Sequence, residues 1–143
     1  MSGKKWLSSL VRARQLQEDA AKQHLATAQR HVVRAHERVK YSADRVDSLI
    51  AAGAQDQATA FVAAAVARQA AAATHSATIR YAEQAEDEAD ARRDELGEAA
   101  RARLTAEELN ERHLATERHR AALAAQRELD EVAARIHRDG LGM

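Results

Sequence analysis

The chain has 143 residues, with 22 Lys plus Arg against 22 Asp plus Glu, seven histidines, no cysteine and no proline. The zero balance leaves no global basic surplus to attract nucleic acid or an acidic membrane surface, and the lack of cysteine excludes disulfides and thiolate metal sites. Aromatics make up 3% and much of the 45% hydrophobic fraction is alanine, which suits a thin seam between helices and predicts few fully buried side chains.

The opening, Met1-Ser2-Gly3-Lys4-Lys5-Trp6-Leu7, is basic, but Ser8, Ser9, Arg12 and Arg14 follow. No apolar run forms a signal peptide or membrane span, so a cytoplasmic protein is expected. From there two interleaved rows at seven-residue spacing run through the first arm. One is Val11, Glu18, Leu25, Val32, Val39 and Val46; the other is Leu7, Arg14, Ala21, Ala28, Ala35, Ser42 and Leu49. These are the a and d rows of a coiled coil, and they predict a first helix over about 4–51.

The pattern stops at Leu49-Ile50, where Gly53 supplies a helix end and Asp56 an N-cap, so a turn is expected at about 52–57. A second helix, longer than the first and with a less regular seam, is expected over about 58–138, ahead of a frayed tail at 139–143. Gly97 and the capping-box form of Thr105-Ala106-Glu107-Glu108 raise a break inside it, but no proline or polar loop cluster accompanies them, and the continuous reading is favoured. The whole, 1–143, reads as a single all-α domain: a long two-helix antiparallel coiled-coil hairpin.

Charge agrees with folding back. Nine Lys/Arg face three acids through residue 40, whereas residues 83–98 hold eight acids and two arginines. With the turn near Gly53 to Asp56, residue i faces roughly residue 109 minus i, which sets the acidic block beside residues 11–26; a merely solvated acidic face is the duller reading. Beyond residue 104 the second helix then has no partner in the first arm. Leu104, Leu109, Leu114, Leu123, Leu129, Val132 and Ile136 remain apolar there, so this overhang is the first candidate for a binding element.

The histidines contain no His-x-x-x-His pair and no Glu-x-x-His of the di-iron type, so no metal is expected; no phosphate loop, nucleophile elbow or apolar pocket for acid–base work is present, and an enzyme is not expected. No cofactor is implied. The few aromatics, Trp6, Tyr41, Phe61 and Tyr81, are either partner anchors or plugs in the seam.

Several strings resemble the flagellar type III export protein FliJ family and its virulence-system relatives. They are Leu7-Ser8-Ser9-Leu10-Val11-Arg12 followed by Glu18 and Leu25, then Phe61-Val62 after the turn, then Glu117-Arg118 and Glu128-Leu129-Asp130-Glu131-Val132-Ala133-Ala134-Arg135 near the end. The resemblance spans most of the chain. It implies a non-enzymatic stalk that binds and stimulates the hexameric export ATPase. It also implies a link to the cytoplasmic domain of the export gate and to export chaperones, at the cytoplasmic face of the inner membrane and with no nucleic-acid partner. The residues assigned to the ATPase on this reading are Lys4, Lys5, Trp6, Leu123, Arg127, Leu129, Val132, Arg135 and Ile136. Those matching the family's gate-binding patch are Arg38, Ser42, Arg45, Leu49, Phe61 and Ala65, of which only Leu49 and Phe61 keep apolar bulk. The alternative is a coiled-coil scaffold or homodimerisation module unrelated to secretion, and a third class, nucleic-acid binding through the basic first arm, needs the acidic block to face elsewhere.

Overall fold

A chain without proline and rich in alanine, arginine and glutamate meets almost nothing that interrupts a helix. In the computed structural model, which describes residues 2–52 and 58–142 (Ser2, Gly3 and Lys4 by backbone alone), two helices account for nearly all of it. Helix α1 is Ser2–Ala51 and α2 is Ala58–Leu141, 50 and 84 residues long. They form an antiparallel helical hairpin whose second arm is the longer. The helix α2 runs unbroken through Gly97 and Thr105 and continues past Arg138 to Leu141, where fraying was expected. Its last turn carries Arg138, a cation at the negative end of the helix dipole, and the Gly142 amide closes on the Arg138 carbonyl at 3.2 Å. At the end of α1 the Ala52 amide donates to the Ser48 carbonyl at 3.1 Å. Gly53 and Asp56, the residues expected to make the turn, lie outside the described residues.

The chain divides into two compact units: Glu18–Ala99, and Met1–Gln17 with Ala100–Met143. In the first, both heptad rows of α1 are covered: Ala21, Ala28, Ala35 and Ser42 are buried, and Leu25, Val32, Val39, Val46 and Leu49 are half-buried. Opposite them α2 presents Ala71, Ala82 and Ala89 as its deepest residues, with Arg68, His75, Thr78, Ala85, Arg92 and Leu96 half-covered between them. The spacing of these positions alternates three and four, a heptad row that hydrophobicity does not mark because its occupants, Leu96 apart, are small or polar. No large side chain is fully buried among the described residues.

The register differs from the one expected. His36 Nε2 lies 2.7 Å from Glu86, Arg38 stacks 5.7 Å from the centroid of Tyr81, and Ser42 Oγ is 2.8 Å from both His75 Nδ1 and Thr78 Oγ1. The numbers of these facing residues add to between 117 and 122, not 109, so the acidic block faces roughly residues 22–38 of α1 instead of 11–26. Side-chain meshing along the seam, and not the midpoint of the connection, sets the register. The block's charges are also settled mostly within α2: Arg92 pairs with Glu88 and Glu95 at 3.0 Å each, and Arg93 pairs with Asp90. Its hydrogen bond with Glu95, followed by the charges of Glu95 and Glu88, pushes the pKa of Arg92 above its ordinary value.

Ala35 is 1% exposed and has no room to grow. Ala35→Leu is expected to destabilise the protein by about 1–3 kcal/mol through overpacking, while Ala73→Leu on the exposed side of α2 stays within about 0.5 kcal/mol. Thermal or urea unfolding followed by circular dichroism measures both.

Candidate partner surfaces

In the unit built from both chain ends, Leu7, Leu10, Val11 and Arg14 of α1 are half-buried, and on α2 cover reaches Ala106, Glu107, Asn110, His113 and Leu114. The uncovered stretch therefore begins at Ala115, ten residues later than the sequence suggested, as the shifted register requires. From Ala115 to Leu141 every residue is exposed, including Leu123, Leu129, Val132 and Ile136.

Leu129, Val132 and Ile136 share one face of α2, at three- and four-residue spacing, with Ala125 one turn and Ala121 two turns before Leu129. Carried on at its own spacing, the covered row of α2 passes instead through Glu117, Arg120, Ala124, Arg127, Glu131, Ala134 and Arg138. The apolar stripe lies five residues on from that row, about 140° around the helix. Its partner therefore approaches from another side than the one α1 occupies. Of the residues assigned to the ATPase, Leu129, Val132 and Ile136 form the stripe and Arg135 flanks it, 4.0 Å from Glu131. Arg127 and Leu123 both lie on the far side of the helix from the stripe. Trp6 is exposed on the first turns of α1 beside the exposed Lys5, and among the described residues neither side chain has a hydrogen bond or ion pair to residues 123–136; the side chain of Lys4 is outside the description.

The second surface belongs to the Glu18–Ala99 unit. Arg38, Tyr41, Ser42 and Arg45 of α1 and Ala67, Ala70, Ala71, Thr74 and Thr78 of α2 line a groove of about 390 Å³. Small α2 residues leave the space, and the two arginines and the exposed ring of Tyr41 wall it. No acid lines it, and Arg45 has no ion pair among the described residues. Beneath lies a polar cluster. Ser42 Oγ lies 2.9 Å from the Val39 carbonyl, Thr78 Oγ1 lies 2.7 Å from the His75 carbonyl, and His75 Nδ1 completes the contact to Ser42. With Nδ1 protonated, the imidazole N–H donates to Ser42; of the two hydroxyls, 2.8 Å apart, one donates to the other and the second to its own carbonyl.

Of the six positions matched to the gate-binding patch, Arg38 and Arg45 stand on the groove, Phe61 is exposed, and Leu49 and Ala65 are half-buried. Ser42 is buried at 5% exposure, so it holds the floor and does not reach outward. Tyr41, Ile50, Val62 and Val66 are large, exposed and missing from the expected set. The signal available for them was phase: none falls on the a or d row of α1 or on the covered row of α2.

A family model, described as the flagellar FliJ protein, matches residues 4–142. The chain belongs to the FliJ family. Comparison with curated proteins and with solved structures finds no significant match. Membership brings a role related to flagellar export, in a family of non-catalytic export components. Among the described residues no helix is long and apolar enough to cross a membrane.

An uncovered FliJ helix end holds itself together only by its own backbone bonds and i, i+4 pairs such as Gln126–Asp130. Backbone amides from about 120 to 138 are therefore expected to exchange at least about 30-fold faster than those of residues 71–92 in the free protein, as measured by hydrogen–deuterium exchange.

Proposed function

We propose that this FliJ-family chain is a non-enzymatic stalk and adaptor of the flagellar export apparatus. On this reading it binds and stimulates the hexameric export ATPase through the uncovered end of α2 and links it to the export gate's cytoplasmic domain and to export chaperones. Lys4, Lys5 and Trp6 at the start of α1 add a basic and aromatic element to the ATPase-binding end. It works at the cytoplasmic face of the inner membrane, held there by its partners. The observation that carries the reading is the run Ala115–Leu141: every residue is exposed, yet Leu129, which is 63% exposed, Val132 and Ile136 form an apolar stripe. A stripe of that kind on a solvated helix fits a receptor groove, with large apolar side chains as anchors and Arg135 at the rim.

The second partner surface is the arginine-walled groove with Phe61, Val62 and Val66, and its chemistry favours a gate surface that offers carboxylates around an apolar side chain. Because the two surfaces draw on separate residues, they can be disabled separately.

Leu129→Ala combined with Ile136→Ala is expected to reduce stimulation of the ATPase by about tenfold or more with helicity unchanged, assayed by ATP hydrolysis with and without the protein. Undiminished stimulation would remove the stripe from the ATPase contact. Arg45→Glu with Phe61→Ala is expected to weaken capture of the gate's cytoplasmic domain about tenfold and to leave ATPase stimulation as it was; a binding titration against the isolated gate domain reads the first effect.

A further inference from the structure

The spacing of the uncovered stripe reads the same from either end. Counting outward from Ala125, its members stand four, seven and eleven residues away in both directions: Ala121 and Leu129, Arg118 and Val132, Leu114 and Ile136. Leu114 is half-buried where cover by the rest of the unit ends, and the others are exposed. A surface with this symmetry is complementary to itself when one copy is turned end for end, which is the requirement of an isologous two-fold contact.

We infer that this face of α2 binds a second copy of the chain, antiparallel, with the two-fold axis at Ala125. In that register the smallest side chain meets itself on the axis and Ala121 packs under Leu129 of the second copy. Arg118 lies against Val132 and Leu114 against Ile136 of the second copy, so alanines fill the centre of the contact and larger side chains its two ends. Charges agree on one flank, where Glu117 comes beside Arg135 of the second copy, a pair made twice by the symmetry; the other flank, Ala122, Gln126 and Ala133, carries no charge. The pairs these groups make at present are exposed contacts within α2, Arg120–Glu117 at 3.4 Å and Arg135–Glu131 at 4.0 Å, which exchange for new partners at little cost. A parallel arrangement has none of this: it stacks Arg118 on Arg118 inside the contact and sets no opposite charges across the flanks. An eleven-residue period favours straight or right-handed packing of the two helices. While paired, Leu129, Val132 and Ile136 are closed to any other partner; the pairing itself does not depend on the export ATPase being that other partner.

The absence of cysteine makes the test direct. The purified full-length chain at about 100 µM is expected to show twice its 15.7 kDa mass by light scattering or sedimentation equilibrium, in keeping with the micromolar affinity of a short contact. Under mild oxidation Ala125→Cys is expected to form a disulfide-linked dimer, whereas Ala134→Cys, on another face, does not. Arg135→Glu is expected to weaken association about fivefold to tenfold, and adding Glu117→Arg to restore it. Leu129→Arg, at an exposed position that leaves folding intact, is expected to give a monomer. A monomer at about 100 µM, a dimer that fails to cross-link at residue 125, or a dimer that survives Leu129→Arg would each overturn the proposal.

Discussion

Alanine at the deepest positions of the seam is the constraint on which the rest of the structure depends. Every buried hydrophobic residue among those described is alanine: Ala21, Ala28 and Ala35 on α1, and Ala71, Ala82, Ala89 and Ala106 on α2. A seam floored by methyl groups brings two helices close together but buries little apolar area per turn, and at about 25 cal/mol per Å² each layer adds only a small increment. Stability is thereby spread along the arms instead of being concentrated in a core. The close approach also explains why polar residues occupy covered positions without cost. Arg92 and Arg103 are half-covered on the seam row, and their guanidinium groups are paired with Glu88 and Glu95 and with Glu107. Ser42, His75 and Thr78 satisfy one another across the seam, and no buried side-chain polar atom among the described residues lacks a partner.

The polar cluster also has a part in choosing the register. Sliding α2 along α1 by one heptad would keep alanine against alanine at most layers and change the apolar burial little. It would, however, take His75 and Thr78 away from Ser42, giving up both contacts across the seam and leaving the hydroxyl its bond to the Val39 carbonyl alone. An alanine-rich seam is weakly specified by shape, so the few polar layers carry a disproportionate share of the specificity.

This is also why the two arms were unequally legible in the sequence. On α1 the interleaved rows name the covered positions, because Leu25, Val32, Val39, Val46 and Leu49 alternate with alanines at the right phase; even the polar interruptions Arg14, Glu18 and Ser42 are covered. On α2 the covered row contains Arg68, His75, Thr78, Arg92, Arg103, Asn110 and His113, while Phe61, Val62, Val66, Tyr81, Leu104 and Leu109 are exposed. Hydropathy there points away from the seam, since the size of a side chain and not its polarity decides what fits. The register could not be counted from the turn for the same reason, and with it went the start of the uncovered stretch, placed at residue 105 instead of 115. The stripe through Leu129, Val132 and Ile136 was legible as apolar, but grouping it with Leu123 and Arg127 ignored the angle each residue takes around the helix.

The separation of those two signals has a functional consequence. Along α2 the residues that hold the fold are, Leu96 apart, small or polar and lie on one row, whereas most large apolar residues lie on others and in the uncovered end. Substitutions at Leu129, Val132 or Ile136 remove no contact with α1, and substitutions in the alanine row leave the outward residues in place. Recognition and folding thus draw on different side chains of a single helix, which frees the outward surface to change with its partners at almost no cost to the fold. A helix with one apolar face for both tasks could not do this, because each new partner would have to be accommodated by the same residues that α1 requires.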